Sequence, residues 1–202
     1  MVKLRPYRDG DLEALYAISL ATGLSGKDAS ASYQDPKLMG HLYSAPYAVL
    51  LPALCHVVED GEGVCGFIVG ATDTIGFEER LEREWWPHLR NQYAEPSGTP
   101  SPEWTPDQHR IFTIHHPRRT PREIADLYPA HLHMNLLSRI QGKGIGRALL
   151  TGWLSQARVA GVHIGCNPHN HGAIAFWEKQ HFRRLVDLSG GRTIWLGRKI
   201  GG

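Results

Sequence analysis

Seven residues, Gln141-Gly142-Lys143-Gly144-Ile145-Gly146-Arg147, constrain this chain more than any others. They follow a run of alternating character, Ala130 to Leu137. They open a segment in which Leu149, Leu150, Trp153, Leu154 and Ala157 recur on one helical face. Strand, glycine-rich turn and helix start, in that order, form an anion cradle. Glycine lets the backbone approach the ligand, successive N–H groups converge on it, and the helix dipole favours negative charge. Lys143 and Arg147 sit where cations oppose that dipole, which a bound anion explains. A phosphorylated ligand is expected here.

The rest of the chain reads as α/β with a mixed sheet. Val2 to Tyr7 is expected as an edge strand, Asp9 to Leu20 as a helix, Ala21 to Tyr33 as a loop and Pro36 to Leu42 as a second short helix. Two apolar runs, 54–58 and 64–69, flank Glu59-Asp60-Gly61-Glu62-Gly63, a hairpin signal. The segment from Asp73 to Tyr128 reads as an insertion: a charged, aromatic helix from Phe77 to Tyr93, a Pro-rich stretch from Pro96 to Pro106, and a Pro/Arg-rich stretch from His115 to Pro121. Segments of this length inside a domain are functional lids or disordered, and the aromatic content predicts a packed insertion. After the glycine turn, Gly161 is expected to end the helix and Val162 to Cys166 to form a strand. Asn170 is expected to cap a helix through Trp177, and strands are expected over Phe182 to Leu188 and Arg192 to Leu196.

A chain of 202 residues fits one domain, 1–202, with 73–128 as its insertion. The net charge of +2 does not point to nucleic acid. The apolar stretch from Ala48 to Leu54 is too short for a bilayer and contains Pro52. No signal-like apolar core follows Met1, and Cys55, Cys65 and Cys166 lack CxxC spacing, so a cytoplasmic protein with reduced thiols is expected, as a monomer or homodimer.

The turn fits neither main nucleotide motif. A Walker A loop needs Lys-Ser or Lys-Thr after its glycines, and a dinucleotide fingerprint needs GxGxxG early in a βαβ unit. Gln141-x-x-Gly144-x-Gly146 instead resembles the Q/R-x-x-G-x-G/A pyrophosphate loop of the GNAT N-acetyltransferases. Asn170-x-x-Ala173-Ile174-x-Phe176-Trp177-x-Lys179-x-x-Phe182 is similar to that family's N-x-x-A-x-x-x-Y-x-x-x-G-F segment. Thr22-Gly23, Pro46-Tyr47, Asp73-Thr74, Trp86-Pro87 and the run from Tyr128 to His133 resemble a bacterial branch similar to the acetyltransferase-like domain of O-GlcNAcases.

The resemblance implies a single GNAT-like domain. Its central sheet would be mixed and mostly antiparallel, with splayed parallel middle strands flanked by helices, and the insertion would precede the fourth main strand. It implies acetyl-CoA as the cofactor, bound by Leu136, Gln141, Gly142, Lys143, Gly144, Ile145, Gly146, Arg147, Asn170, Ala173 and Trp177. The Leu136 N–H would face the thioester carbonyl. Asp28, Tyr33, Tyr43, Tyr47 and Asp73 fall where the family builds its acceptor wall, although solvated loop polarity and packing account for such residues equally well. The implied partners are acetyl-CoA and an amine-bearing acceptor, without nucleic acid, membrane or metal.

Acyl transfer to an amine needs a base, an oxyanion donor and a way for the thiolate to leave. The family's tyrosine acid is replaced by Trp177, whose indole N–H donates but does not act as an acid. A thiol of ordinary pKa, roughly 8.5, leaves without strong help. Asn135 and Asn167 stand where relatives often carry acids. Leu136, Asn135 and His133 are the candidate catalytic residues. His131, His133 and His163 are read first as a packed strand face, and Cys166 as a small core residue. The alternative to a transferase is a catalytically weak or inactive acetyl-CoA-binding module.

Overall fold

The computed structural model describes residues 2–185 and 193–201. Seven strands form one sheet in the order β1-β2-β3-β4-β5-β7-β6. They are β1 (Lys3–Pro6), β2 (His56–Asp60), β3 (Gly63–Ala71), β4 (Ala130–Leu136), β5 (Gly161–Cys166), β6 (Arg183–Arg184) and β7 (Ile194–Lys199). Among these pairs β4–β5 is parallel and the others antiparallel. The expected architecture and the edge position of β1 are borne out. The strand expected from Phe182 to Leu188 and the start of the one expected at Arg192 lie partly outside the described residues.

Strand alternation builds two cores. On one face α8 (Ile145–Ala157) and α9 (His171–Lys179) pack through Leu149, Leu150, Trp153, Ile174 and Trp177 onto Ile68, Leu132, Ile164 and Leu196. On the other, α1 (Leu12–Ala21), α2 (Leu38–Tyr43), α3 (Ala45–Leu50), α4 (Thr74–Glu84), α5 (Trp86–Gln92) and α6 (Pro106–His115) cover Val57, Phe67, Val69 and Ala71. A short α7 (Arg122–Leu127) leads into β4. The edge strand is fastened by charge. Arg5 donates to Asp11 at 2.6 and 2.8 Å and to Glu59 at 2.5 Å, tying β1 to β2 and to the turn before α1.

Three expectations need correction. The helix expected from Phe77 to Tyr93 is two, α4 and α5, broken at Trp85. Pro87 has no N–H to donate to residue 83, and its ring would clash with that carbonyl, so it serves instead in the first turn of a new helix. Gly161 does not end α8. Arg158 does so in a left-handed conformation, with its N–H on the Leu154 carbonyl, and Gly161 begins β5. A Cβ on Gly161 would lie 3.1 Å from the Tyr128 ring and 3.2 Å from the Leu127 carbonyl, so close approach explains the glycine. The insertion also holds two helices that were not anticipated, α6 between the two Pro-rich stretches and α7 after the second.

Gly70 on β3 tests the sheet packing. A Cβ there would lie 2.5 Å from the His131 carbonyl oxygen and 2.6 Å from the Trp153 ring. Overpacking of this kind costs ~1–3 kcal/mol, so Gly70→Ala is expected to lower the urea midpoint with an unchanged m-value.

Candidate active site

The two middle strands separate almost as soon as they meet. β4 and β5 pair only at Ala130↔Val162 and His131↔His163. Beyond that point β4 stays on β3 through Leu136, and β5 stays on β7 through Cys166. Within the resulting gap Met134, Asn135 and Leu136 are part-exposed and Gly165 is exposed, although they lie mid-sheet. The Leu137 N–H donates to the Cys65 carbonyl on β3 at 2.9 Å. Strand alternation therefore turns the Leu136 N–H away from β3, toward the gap.

The glycine turn sits at the mouth of this gap. Gln141 Nε2 donates to the Leu136 carbonyl at 2.8 Å, latching the loop to the strand end. Gly142 and Gly144 adopt φ of +73° and +77°, which side-chain-bearing residues rarely adopt. Gly146 serves close packing instead. A Cβ there would lie 3.1 Å from the Phe176 ring on α9 and 3.3 Å from Met134 on β4. The first N–H bonded within the helix start is that of Ala148, to Gly144. The N–H groups of Ile145, Gly146 and Arg147 thus remain for a ligand. Lys143 and Arg147 are exposed and, among the described residues, form no ion pair. The cradle fits a pyrophosphate.

Such a splayed parallel pair with a Gln-x-x-Gly-x-Gly turn at its mouth matches a known family, and the acetyltransferase (GNAT) family model covers residues 27–182. The chain belongs to this family. The crystal structure of SsHAT is 35% identical to it, covers 100% of this chain and 99% of that one, and superposes with a TM-score of 0.90. Protein O-GlcNAcase of Rattus norvegicus is 22% identical over 98% of the chain, which spans 22% of that relative's length. The sequence-based likeness to O-GlcNAcases is thereby borne out. The PaiA N-acetyltransferase of Thermoplasma acidophilum, solved in complex with coenzyme A, shares 14% identity, covers 99% of this chain and 99% of that one, and has a TM-score of 0.58.

On the β5 side of the GNAT cleft, Asn170 caps α9, its side-chain oxygen accepting from the Ala173 N–H at 3.1 Å. Ala173 is part-exposed on the same helix. Trp177 is only 5% exposed and packs edge-on against Phe176 and Phe182. It is a core residue, so what it lends the cleft is shape. Asn167 accepts from the His169 N–H in a turn. Cys166 is buried and its thiol pKa is pushed up to about 12 by burial, which makes it a poor nucleophile.

On the opposite face, β4 carries His131, His133 and Asn135 toward α1–α3. Thr74 Oγ1 donates to the Pro129 carbonyl at 2.7 Å, so it accepts from His131 Nδ1 at 2.8 Å. This fixes the proton on Nδ1 and leaves Nε2 to accept from the Tyr47 hydroxyl at 2.7 Å. His131 is therefore spent. His163, 1% exposed, donates from Nδ1 to the Tyr128 carbonyl at 2.7 Å. His133 differs: among the described residues its ring has aromatic neighbours, Tyr43 at 5.7 Å and Tyr47 at 5.4 Å, and no hydrogen-bond partner. Burial lowers the pKa of His133 and His163 to about 4, and lowers that of His131 well below the usual value. Asn135 Nδ2 donates to Thr22 Oγ1 at 2.6 Å, tying β4 to the end of α1. No group of three His, Cys, Asp or Glu among the described residues is arranged to hold a metal ion.

The expected acceptor wall is partly assembled. Tyr33 and Tyr43 are bridged by Arg110 of α6 at 3.0 and 3.1 Å, and Tyr43 reaches His133. Tyr47 is buried, its hydroxyl committed to His131 and its pKa raised by burial. Asp28 is exposed and makes a local turn with Ser30, so it joins neither the histidines nor the tyrosines. Asp73 stands at the start of α4. It caps α4 by accepting from the Gly76 N–H, and it follows Ala71, which pairs with His131 at the far end of β4 from Leu136. Five residues of strand, roughly 17 Å, separate that end from Leu136. Arg110, which bonds Tyr33 and Tyr43, is a neighbour of the candidate site that the sequence reading did not single out, and Phe176, quoted in the Asn170 motif, packs against Gly146 of the cradle. A signal for α6 existed in Thr105-Pro106-Asp107-Gln108, a capping box before an apolar run.

The histidines make a pH prediction. Their folded pKa values lie below the unfolded value of roughly 6.5, so the unfolded chain binds more protons between that pH and about 4. Stability is full above the unfolded pKa and falls as pH drops from there toward about 4. Imidazole ¹⁵N NMR is expected to show His131 and His163 as neutral Nδ1–H tautomers at pH 6, with the urea midpoint falling from pH 7 to pH 5.

Proposed function

We propose that this protein transfers the acetyl group of acetyl-CoA to an amine, as other GNAT acetyltransferases do. One observation carries the reading: the β4–β5 gap opens directly onto a glycine cradle whose helix-start N–H groups have no backbone partner and whose two cations, Lys143 and Arg147, form no ion pair among the described residues. A family member sharing this fold was solved with coenzyme A. Acetyl-CoA supplies the activated acyl group. The N–H groups of Ile145, Gly146 and Arg147, with Gly142, Lys143 and Gly144, hold its pyrophosphate, and Gln141 keeps the loop on the strand. The gap between β4 and β5 admits the pantetheine arm, with Asn170, Ala173 and the packed Trp177 shaping its other side.

The Leu136 N–H donates toward the thioester carbonyl, where negative charge develops. His133 takes the proton that leaves the amine, on a ring nitrogen. His131 is excluded from that role by its two hydrogen bonds, and Asn135 by its amide. A base of pKa about 4 is weak, so the acceptor amine must reach His133 largely neutral, and kcat/KM rises with pH as the amine deprotonates. The thiolate departs without an acid at Trp177. A second reading, a weak or inactive acetyl-CoA-binding module, is favoured by this scarcity of bases.

Among the described residues no helix is long and apolar enough to cross a membrane. Three buried, unpaired cysteines fit a reducing cytoplasm.

Saturating acetyl-CoA is expected to raise Tm by several degrees, about 2.7 kcal/mol at 100 times Kd. Gly144→Val, which forces a β-branched residue to positive φ, is expected to weaken that binding by ~10-fold or more in calorimetry. His133→Ala is expected to lower kcat/KM by ~100-fold while the thermal shift persists. Tight binding with no CoA release across an amine panel would establish the module instead.

A further inference from the structure

Helix α6 brings a cation to the acceptor wall without a counter-charge. Arg110 is half-buried; its Nε donates to the Tyr33 hydroxyl at 3.0 Å and its Nη1 to the Tyr43 hydroxyl at 3.1 Å. Its guanidinium carbon lies 5.7 Å from the Tyr43 ring centroid. Arg5, Arg80, Arg90, Arg139 and Arg184 each hold a carboxylate. Among the described residues Arg110 holds none. The acid one turn earlier on α6, Asp107, accepts from the Gln34 and Asp35 N–H groups at 3.2 and 2.9 Å, and Asp35 in turn accepts from the Tyr93 hydroxyl at 2.7 Å.

Two neutral phenols do not replace the hydration of a guanidinium, so a partly buried, unpaired arginine is costly unless an anion completes it. Three of its five N–H donors remain, in a fork that matches planar oxygen anions. The position is informative as well. The Tyr43 ring lies 5.7 Å from His133, the residue placed to receive the amine's proton, so Arg110 and His133 flank one tyrosine on a single wall. We infer that the acceptor is an amine that also carries an anionic oxygen group, and that Arg110 recognises that group. This rests on the transferase reading above.

The test uses matched small amines with acetyl-CoA: an aminocarboxylate, its phosphonate analogue and its carboxamide, with product read by mass spectrometry as kcat/KM. Wild-type protein is expected to prefer an anionic form over the carboxamide by ~10-fold or more. Arg110→Gln should bring that ratio close to one, and Arg110→Lys should keep part of it. A retained thermal shift with acetyl-CoA shows that the Arg110→Gln variant is folded with its cofactor cleft intact. Carboxylate against phosphonate names the anion. A wild-type ratio near one, a preference for the carboxamide, or a ratio unchanged in Arg110→Gln overturns the inference.

Should wild-type protein bind acetyl-CoA and acetylate none of these amines, the transferase reading is what has failed. The anion site is then read at equilibrium, as a rise in Tm of the CoA-loaded protein with the aminocarboxylate or the phosphonate. A rise in wild-type protein that is lost in Arg110→Gln supports the site, and no rise overturns it.

Discussion

The short parallel contact between β4 and β5 is the constraint on which the rest of the molecule depends. Two residue pairs join these strands, while each is held from its outer side over six, by β3 and by β7. They can therefore diverge in the middle of a sheet without unravelling it. Divergence leaves the inner edge of β4 without a ladder partner, and backbone polar groups in that state must find water or a ligand. Gln141 satisfies one of them, the Leu136 carbonyl, and in doing so sets the glycine turn at the mouth of the gap. A single side chain thus couples the slot to the anion cradle.

The two faces of the sheet divide the chemistry. On the α8–α9 face the strands meet an apolar core, and helix starts supply the polar groups that face the cleft. On the other face, burial keeps three neighbouring imidazoles neutral. His131 and His163 have hydrogen bonds that fix their tautomers, which makes them structural. His133 keeps its nitrogens free because its neighbours are ring faces and edges. The insertion then closes over this wall, with α6 pinning Gln34, Asp35, Tyr33 and Tyr43 through Asp107 and Arg110.

Much of this was readable in the chain, and the limits have physical causes. The hairpin, the Asn170 cap and the glycine turn are local: each depends on residues a few positions apart, whose backbone preferences act over that range. The break at Trp85 was equally local, since Pro87 alone dictates it, and α6 was announced by its capping box. Gly161 misled because glycine has two uses. It suits a helix C-terminus, and it also permits the contact with Tyr128 that the structure requires there. Asp73 has a local role that the chain also carries: a carboxylate three residues before Gly76 caps α4.

By itself the sequence determined the cradle, the succession of strands along the chain, and the family, because glycine conformational freedom, hydrophobic period and motif spacing are properties of neighbouring residues. Tertiary structure alone decided which of the three histidines remained available, since that turned on hydroxyls and carbonyls contributed by α3, α4 and the segment before β4. It alone decided that Arg110 faces Tyr33 and Tyr43, 77 and 67 residues away in the chain. Hydrogen bonding and charge pairing act over ångströms of space, and only folding brings residues so far apart in sequence within that range.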